Sequence, residues 1–285
     1  MQFVEQVLQK VSPGNGYGAD FTASFAERFL PVKGSYLAEL TLSLKGTTAA
    51  TVASETFLDV LNPFVFKIGQ ETAIQLRGRD LVAYSYFMTG STPHIIEGSG
   101  AQTDKISSIR IPLWLSTKDG ENYSWAATRS AVANVSAEEL GLQAEWHDKA
   151  LEASHLVAVE QPLTTAGATG PTSLNVIIPQ IGDLIGLIVF NTTVPTAAAQ
   201  TFSLSTLKLL KNGQLKDVFT MANGHDINGG NGFIPGTPVF NILNNYRFFD
   251  FRNDPYDAKA ERISIDVEVG VASEAVRIIP IMLRK

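Results

Sequence analysis

The chain has 285 residues, 45% apolar and 18% charged, with 22 basic against 28 acidic side chains and a mean hydropathy of +0.08. An apolar fraction that high excludes a disordered polymer, and a net charge of −6 with a pI near 5.3 opposes a broad phosphate-neutralising face. Direct nucleic-acid binding is therefore not expected. There is no cysteine, which removes disulfides, thiol catalysis and thiolate metal sites.

The N-terminus places Phe3, Val4, Val7, Leu8 and Val11 on one face at helical spacing, which predicts an amphipathic helix over 2–11. Its polar face is nearly neutral, so the apolar stripe either closes one end of a sandwich or touches a neighbouring subunit or a lipid surface. Glu5 stands where a signal peptide carries positive charge, so export by that route is not expected. Further on, Val176 to Phe190 is interrupted by Pro179, Gln180 and Asp183, which rules out a spanning helix there.

Beyond the first helix the period is two. Leu40, Leu42 and Leu44 alternate with polar residues, as do Ile109, Ile111, Leu113 and Leu115, and later Ile263, Ile265, Val267 and Val269. Weaker strands are read at 64–68, 73–77, 81–88, 142–146, 155–160, 174–178, 184–192, 202–210, 215–221, 239–242, 246–251 and 276–283. Turn residues such as Asp119-Gly120 and Asn212-Gly213 punctuate them. Ser136-Ala137-Glu138-Glu139-Leu140 reads as a capping box with Gly141 ending the turn, and 257–261 as a similar short helix after Pro255. The class is all-β.

Lys67-Ile68-Gly69-Gln70 recurs as Lys211-Asn212-Gly213-Gln214, an offset of 144 (211 − 67), close to half the chain. Around each copy the order of elements matches. A strand precedes it (36–44; 184–192), a glycine-rich loop follows (89–104; 223–238), then a strand (109–115; 246–251), a short helix, and closing strands ending at 155–160 or 276–283. The expectation is two tandem eight-stranded jelly rolls. Residues 1–160 hold the N-terminal helix and first roll, 161–173 a linker rich in small residues, and 174–285 the second roll. A single large sandwich is the alternative.

Chemistry is sparse. The histidines are His94, His147, His155 and His225, with no H-x-H or H-x-x-x-H pair; only His147 and His155 could meet across strands. No nucleophile elbow, phosphate loop or dinucleotide fingerprint is present. Asp226, Asn228 and Asn231 offer oxygens at short spacing, but the acidic closing ligand of a calcium loop is missing and a plain loop is the simpler reading. Arg77, Arg79 and Asp80 read as a solvated strand end or an interface ion cluster. Trp114 and Trp125 read as packing residues or sugar platforms. No catalytic residue, metal or cofactor is expected.

With its amphipathic N-terminal segment, two successive rolls, and a short helix before a late strand in each at Ser136–Leu140 and Asp257–Glu261, the chain resembles the double jelly-roll major capsid proteins of tailless icosahedral bacteriophages with an internal membrane. The resemblance spans nearly the whole chain and is architectural. It implies a non-enzymatic virion protein, made in the host cytoplasm, that forms pseudo-hexagonal homotrimers. Such trimers tile a shell beside minor capsid and vertex proteins, with the N-terminal segment toward the membrane. Two other classes compete. A cupin-like enzyme needs an H-x-H that the chain lacks, whereas a tandem carbohydrate-binding adhesin needs clustered exposed aromatics.

Overall fold

The computed structural model describes residues 3–7, 24–29, 36–49, 52–91, 93–96, 102–117, 121–147, 154–164, 172–192, 204–220, 242–269 and 275–285. The chain divides into two compact units. Unit 1 comprises Met1–Val157 with Gly236–Ile242 and Lys285, and unit 2 comprises Ala158–Pro235 with Leu243–Arg284.

Unit 1 runs β1 (Phe3–Val7), β2 (Ser24–Phe29), β3 (Tyr36–Thr48), α1 (Ser54–Leu58), β4 (Leu61–Ile68), β5 (Glu71–Leu76), α2 (Gly78–Thr89), β6 (His94–Ile96), β7 (Gln102–Ser116), β8 (Tyr123–Arg129) and β9 (Val135–His147). The division between units falls within β10 (His155–Val159). One sheet has the order β1-β9-β3-β7-β6; in the other, β10-β5-β4-β8-β2 lie side by side. Leu40, Leu42 and Leu44 on β3 and Ile109, Ile111 and Leu113 on β7 are buried from one sheet, and Phe64, Phe66, Tyr123 and Trp125 from the other. Burying each such side chain contributes about 1.5–3 kcal/mol. This alternation is what two sheets packed face to face require.

Unit 2 runs β11 (Gln161–Thr164), β12 (Thr172–Ile177), β13 (Asp183–Asn191), β14 (Leu204–Lys211), β15 (Gln214–Thr220), β16 (Tyr246–Asp250), β17 (Tyr256–Asp257), β18 (Ile263–Val269) and β19 (Ala275–Arg284). Its sheets are β16-β13-β19, with β11 on β19 and β17 on β13, and β12-β18-β14-β15. Ile263, Ile265, Val267 and Val269 all point into the core from β18.

The two units share one topology. β9-β3-β7 corresponds to β19-β13-β16, and β5-β4-β8-β2 to β15-β14-β18-β12. Registers agree residue by residue. In the first hairpin Phe66 faces Ile74 and Lys67 faces Thr72 across a bulge; in the second, Leu209 faces Asp217 and Leu210 faces Leu215, an offset of 143 (209 − 66). The Gly69 N–H donates to the Asn122 carbonyl at 2.7 Å, and the equivalent Asn212 N–H to the Arg262 carbonyl at 2.8 Å. A register shift at Leu37/Glu39 against β9 returns at Leu184/Gly186 against β19. The duplication expected from the sequence is thus present, but the four-letter match that signalled it sits one residue out of structural register. The closing strand 276–283 is the counterpart of β9, not of 155–160.

Four expected elements differ. Residues 3–7 of the N-terminal helix form a strand, β1, antiparallel to β9 with Phe3 opposite His147 and Val7 opposite Gln143; Leu8 and Val11 lie outside the described residues. A backbone ladder along an open edge outweighs the weak helical preference of so short a segment. The Ser136 capping box is instead the start of β9, where Ala137 has φ +51° and the register shifts between Lys45 and Thr47. Residues 257–261 make a single turn, with Asp257 Oδ1 accepting from the Lys259 and Ala260 N–H groups at 3.1 and 2.9 Å. The strand expected at 81–88 is helix α2, closed by Gly90 in the left-handed region. Leu81 to Met88 are all buried, so neither period shows in the sequence. A Cβ on Gly78 would overlap the Leu58 carbonyl oxygen, which explains the glycine where α2 begins.

Candidate assembly surfaces

His94 is exposed on β6. On β9, His147 Nε2 lies 3.5 Å from Glu145, its ring edge-on to Tyr36 with centroids 5.8 Å apart. His225, Asp226, Asn228 and Asn231 lie outside the described residues. Among the described residues no group of three or more His, Asp or Glu is placed to hold a metal ion. Nor is any helix among them long and apolar enough to cross a membrane.

Arg79 binds Asp59 through two nitrogens, Nε at 2.7 Å, tying α2 to the end of α1. Asp80 is buried in the first turn of α2, where a negative charge suits the helix N-terminus. Arg79 and Asp80 thus brace the start of α2, and Arg77 is the residue that precedes it. Trp125 is core, packed on Phe64 with ring centroids 6.1 Å apart, and is not a sugar platform. Trp114 is half-buried on β7 with φ +50°.

The remaining charges mostly brace the sheets. Glu39 receives a hydrogen bond from Arg110 Nε and holds that guanidinium above its ordinary pKa. Arg129 Nη2 reaches buried Glu138 at 2.6 Å. On the outer face of the β12-β18-β14-β15 sheet, Lys208 binds Glu268, and Asn175 donates to Asp266. Lys211 meets Glu261 at 2.6 Å.

Little apolar surface is left exposed among the described residues. Among the described residues, the exposed large hydrophobics are Ile177 at 53%, Leu215 at 59% and Val218 at 50%. All three lie on the edge strands of one sheet, Ile177 on β12 and the others on β15. Among the described residues, the apolar side chains are thus mostly in the two cores.

No family model matches the sequence, and no curated protein matches it. Solved structures do. The chain is similar to the crystal structure of the STIV MCP, with a TM-score of 0.71 at 14% identity, covering 100% of this chain and 97% of that one. It is similar also to a chain in the atomic structure of Sulfolobus Turreted Icosahedral Virus, with a TM-score of 0.72 at 16% identity over 100% and 91%. Against the major capsid protein P2 from bacteriophage PM2 the TM-score is 0.62 at 9% identity, over 99% and 97%. The fold is a double jelly roll.

Proposed function

We propose that this chain is a major capsid protein, a structural component of an icosahedral virion without catalytic activity. One observation carries the reading: a single jelly roll is present twice, in matching register, and together the two copies cover nearly the full length of chains described as major capsid proteins. Two like units in one chain give a trimer six like corners, the outline needed to tile hexagonally.

The finer picture follows from that plan. The protein forms pseudo-hexagonal homotrimers that meet neighbouring capsomers and minor capsid or vertex proteins. The shell encloses a lipid membrane, and the protein is made in the cytoplasm of a bacterial host. The N-terminal segment, through Phe3, Val4, Val7, Leu8 and Val11, faces that membrane or an adjoining subunit. Its support is the place of β1 at the outer edge of the β1-β9-β3-β7-β6 sheet.

Light scattering and negative-stain electron microscopy of the purified protein test the proposal. Trimers with hexagonal outline, or shells, are expected. A monomer that persists up to high concentration overturns it.

A further inference from the structure

The outer face of the β12-β18-β14-β15 sheet differs in chemistry from its counterpart in unit 1. On β18, Ser264 and Asp266 alternate with buried Ile263, Ile265 and Val267, so they point outward. Register places the outward residues of all four strands in rows. One row is Ile177, Ser264, Leu210 and Leu215; the next is Asn175, Asp266, Lys208 and Val218. At the same places in unit 1 the rows read Arg28, Ser124, Lys67 and Thr72, then Ala26, Ala126, Val65 and Gln75. Leu210 thus stands where unit 1 has Lys67, and Leu215 and Val218 where it has Thr72 and Gln75. Isoleucine, leucine and valine left half exposed contribute little to the fold of their own unit, and are stabilising when a second surface covers them.

This face is complementary to itself. A two-fold axis parallel to the strands, through the middle of the sheet, lays β12 over β15 of another copy and β18 over β14. Each row keeps its height under that rotation. Ile177 then faces Leu215 of the second copy, Leu210 faces Ser264, and Asp266 faces Lys208, each meeting occurring twice. An axis across the strands would instead set Ile177 against Asn175 and Leu210 against Lys208. The two charges are held in place before docking: Asp266 accepts from Asn175 at 2.5 Å, and Lys208 binds Glu268. Aligned sheets about 10 Å apart are the ordinary packing of a sandwich.

We propose that the outer face of this sheet is a two-fold contact between copies of the chain. An isologous pair has no place inside a three-membered ring, so the contact joins copies that belong to different trimers. That placement rests on the capsid reading and adds the residues by which capsomers meet. Four strands about 4.8 Å apart, each of about seven residues, present on the order of 450 Å². A pair therefore buries about 900 Å², less than a stable isolated dimer needs. The contact is weak alone and becomes effective when repeated between trimers.

The chain has no cysteine, so single-cysteine variants report the pairing directly. Trimers of Ile177→Cys and trimers of Leu215→Cys are purified separately, assembled together and treated with a short bismaleimide. Unlike positions face each other while like positions stand about 14 Å apart along the sheet, so linked dimers exceed those of either variant alone by about tenfold or more. The double variant L215K/V218K folds and forms trimers, because both sites are exposed, and needs about tenfold more protein to form shells. Shells that form without the mixed link, or with links between like positions, overturn the two-fold face and leave the capsid reading standing. A lysine variant that assembles like the wild type does the same. Loss of vesicle binding with assembly intact means that the face meets lipid, and also overturns the pairing. A wild type that stays monomeric overturns both.

Discussion

Ile265 stands opposite Leu209 across the β14–β18 ladder, the place that Trp125 and Phe66 hold in the β4–β8 ladder. Both pairs are fully buried, so each roll is held at this point by apolar contact between central strands. Replacing Ile265 by Asp forces a carboxylate into that layer without a charge partner, at a cost on the order of several kcal/mol. Loss of folded protein, seen as rapid proteolysis within 174–285, is the expected outcome. A soluble variant that melts like the parent would show that β18 does not face the core.

The Arg277 guanidinium lies 3.6 Å from the centre of the Phe190 ring, and Glu160 approaches it at 3.9 Å. Arg277 and Phe190 are register partners on β19 and β13, both buried. A desolvated cation over an aromatic face is worth about 2 kcal/mol. A double-mutant cycle of Arg277→Met with Phe190→Leu, read by denaturant unfolding, is expected to return a coupling of that order. Additive effects would reduce the contact to simple packing.

Buried tyrosines, Tyr36 and Tyr84 among them, make the protein sensitive to alkali. Burial raises the Tyr36 hydroxyl to about 12, and raises that of Tyr84, which donates to the Pro112 carbonyl at 2.6 Å, further still. In the unfolded chain both ionise near pH 10. Their neutral forms belong to the folded state, so the stability they contribute is complete below about pH 10 and falls as the pH climbs through 12. Melting temperatures measured from pH 8 to 12 should decline above 10. Tyr84→Phe should lower stability near neutrality by about 1 kcal/mol, through the lost hydrogen bond, and flatten that decline. A variant curve parallel to the parent's would contradict the assignment.

Strands with one wet and one dry face were legible because their period shows which side is buried: Leu40 to Leu44, Ile109 to Leu115 and Ile263 to Val269 all lie as read. The helix α2 was not, since Leu81 to Met88 are enclosed on every side and leave no polar face to set a period. Gly78 at its start and Gly90 just after it were the available signals. At Ser136 and Glu139 the residues of a capping box serve a bulged strand, because pairing to β3 outweighs a local preference of about 1 kcal/mol. The repeat was legible as an order of elements. Its true register lies in backbone pairing, which tolerates almost any side chain, so letters aligned at 144 where the hairpins align at 143.

Deletion of residues 1–11 separates two roles for the N-terminus. The segment Phe3–Val7 pairs with Gln143–His147 at the end of β9, and β9 is also held by β3 along most of its length, from Tyr36 to Thr48. Loss of β1 therefore removes one edge ladder and leaves the core strand in place. The truncated protein is expected to fold, with a melting temperature lowered by no more than a few degrees, about 1 kcal/mol at this size. If the segment is a foot toward a membrane or an adjoining capsomer, trimers survive the deletion while shell formation or vesicle attachment fails, as flotation with lipid vesicles and electron microscopy would show. If instead the trimers dissociate, β1 is part of the subunit seam itself. The freed β9 edge would then offer its backbone groups to other chains, and aggregation that rises with concentration would accompany the loss.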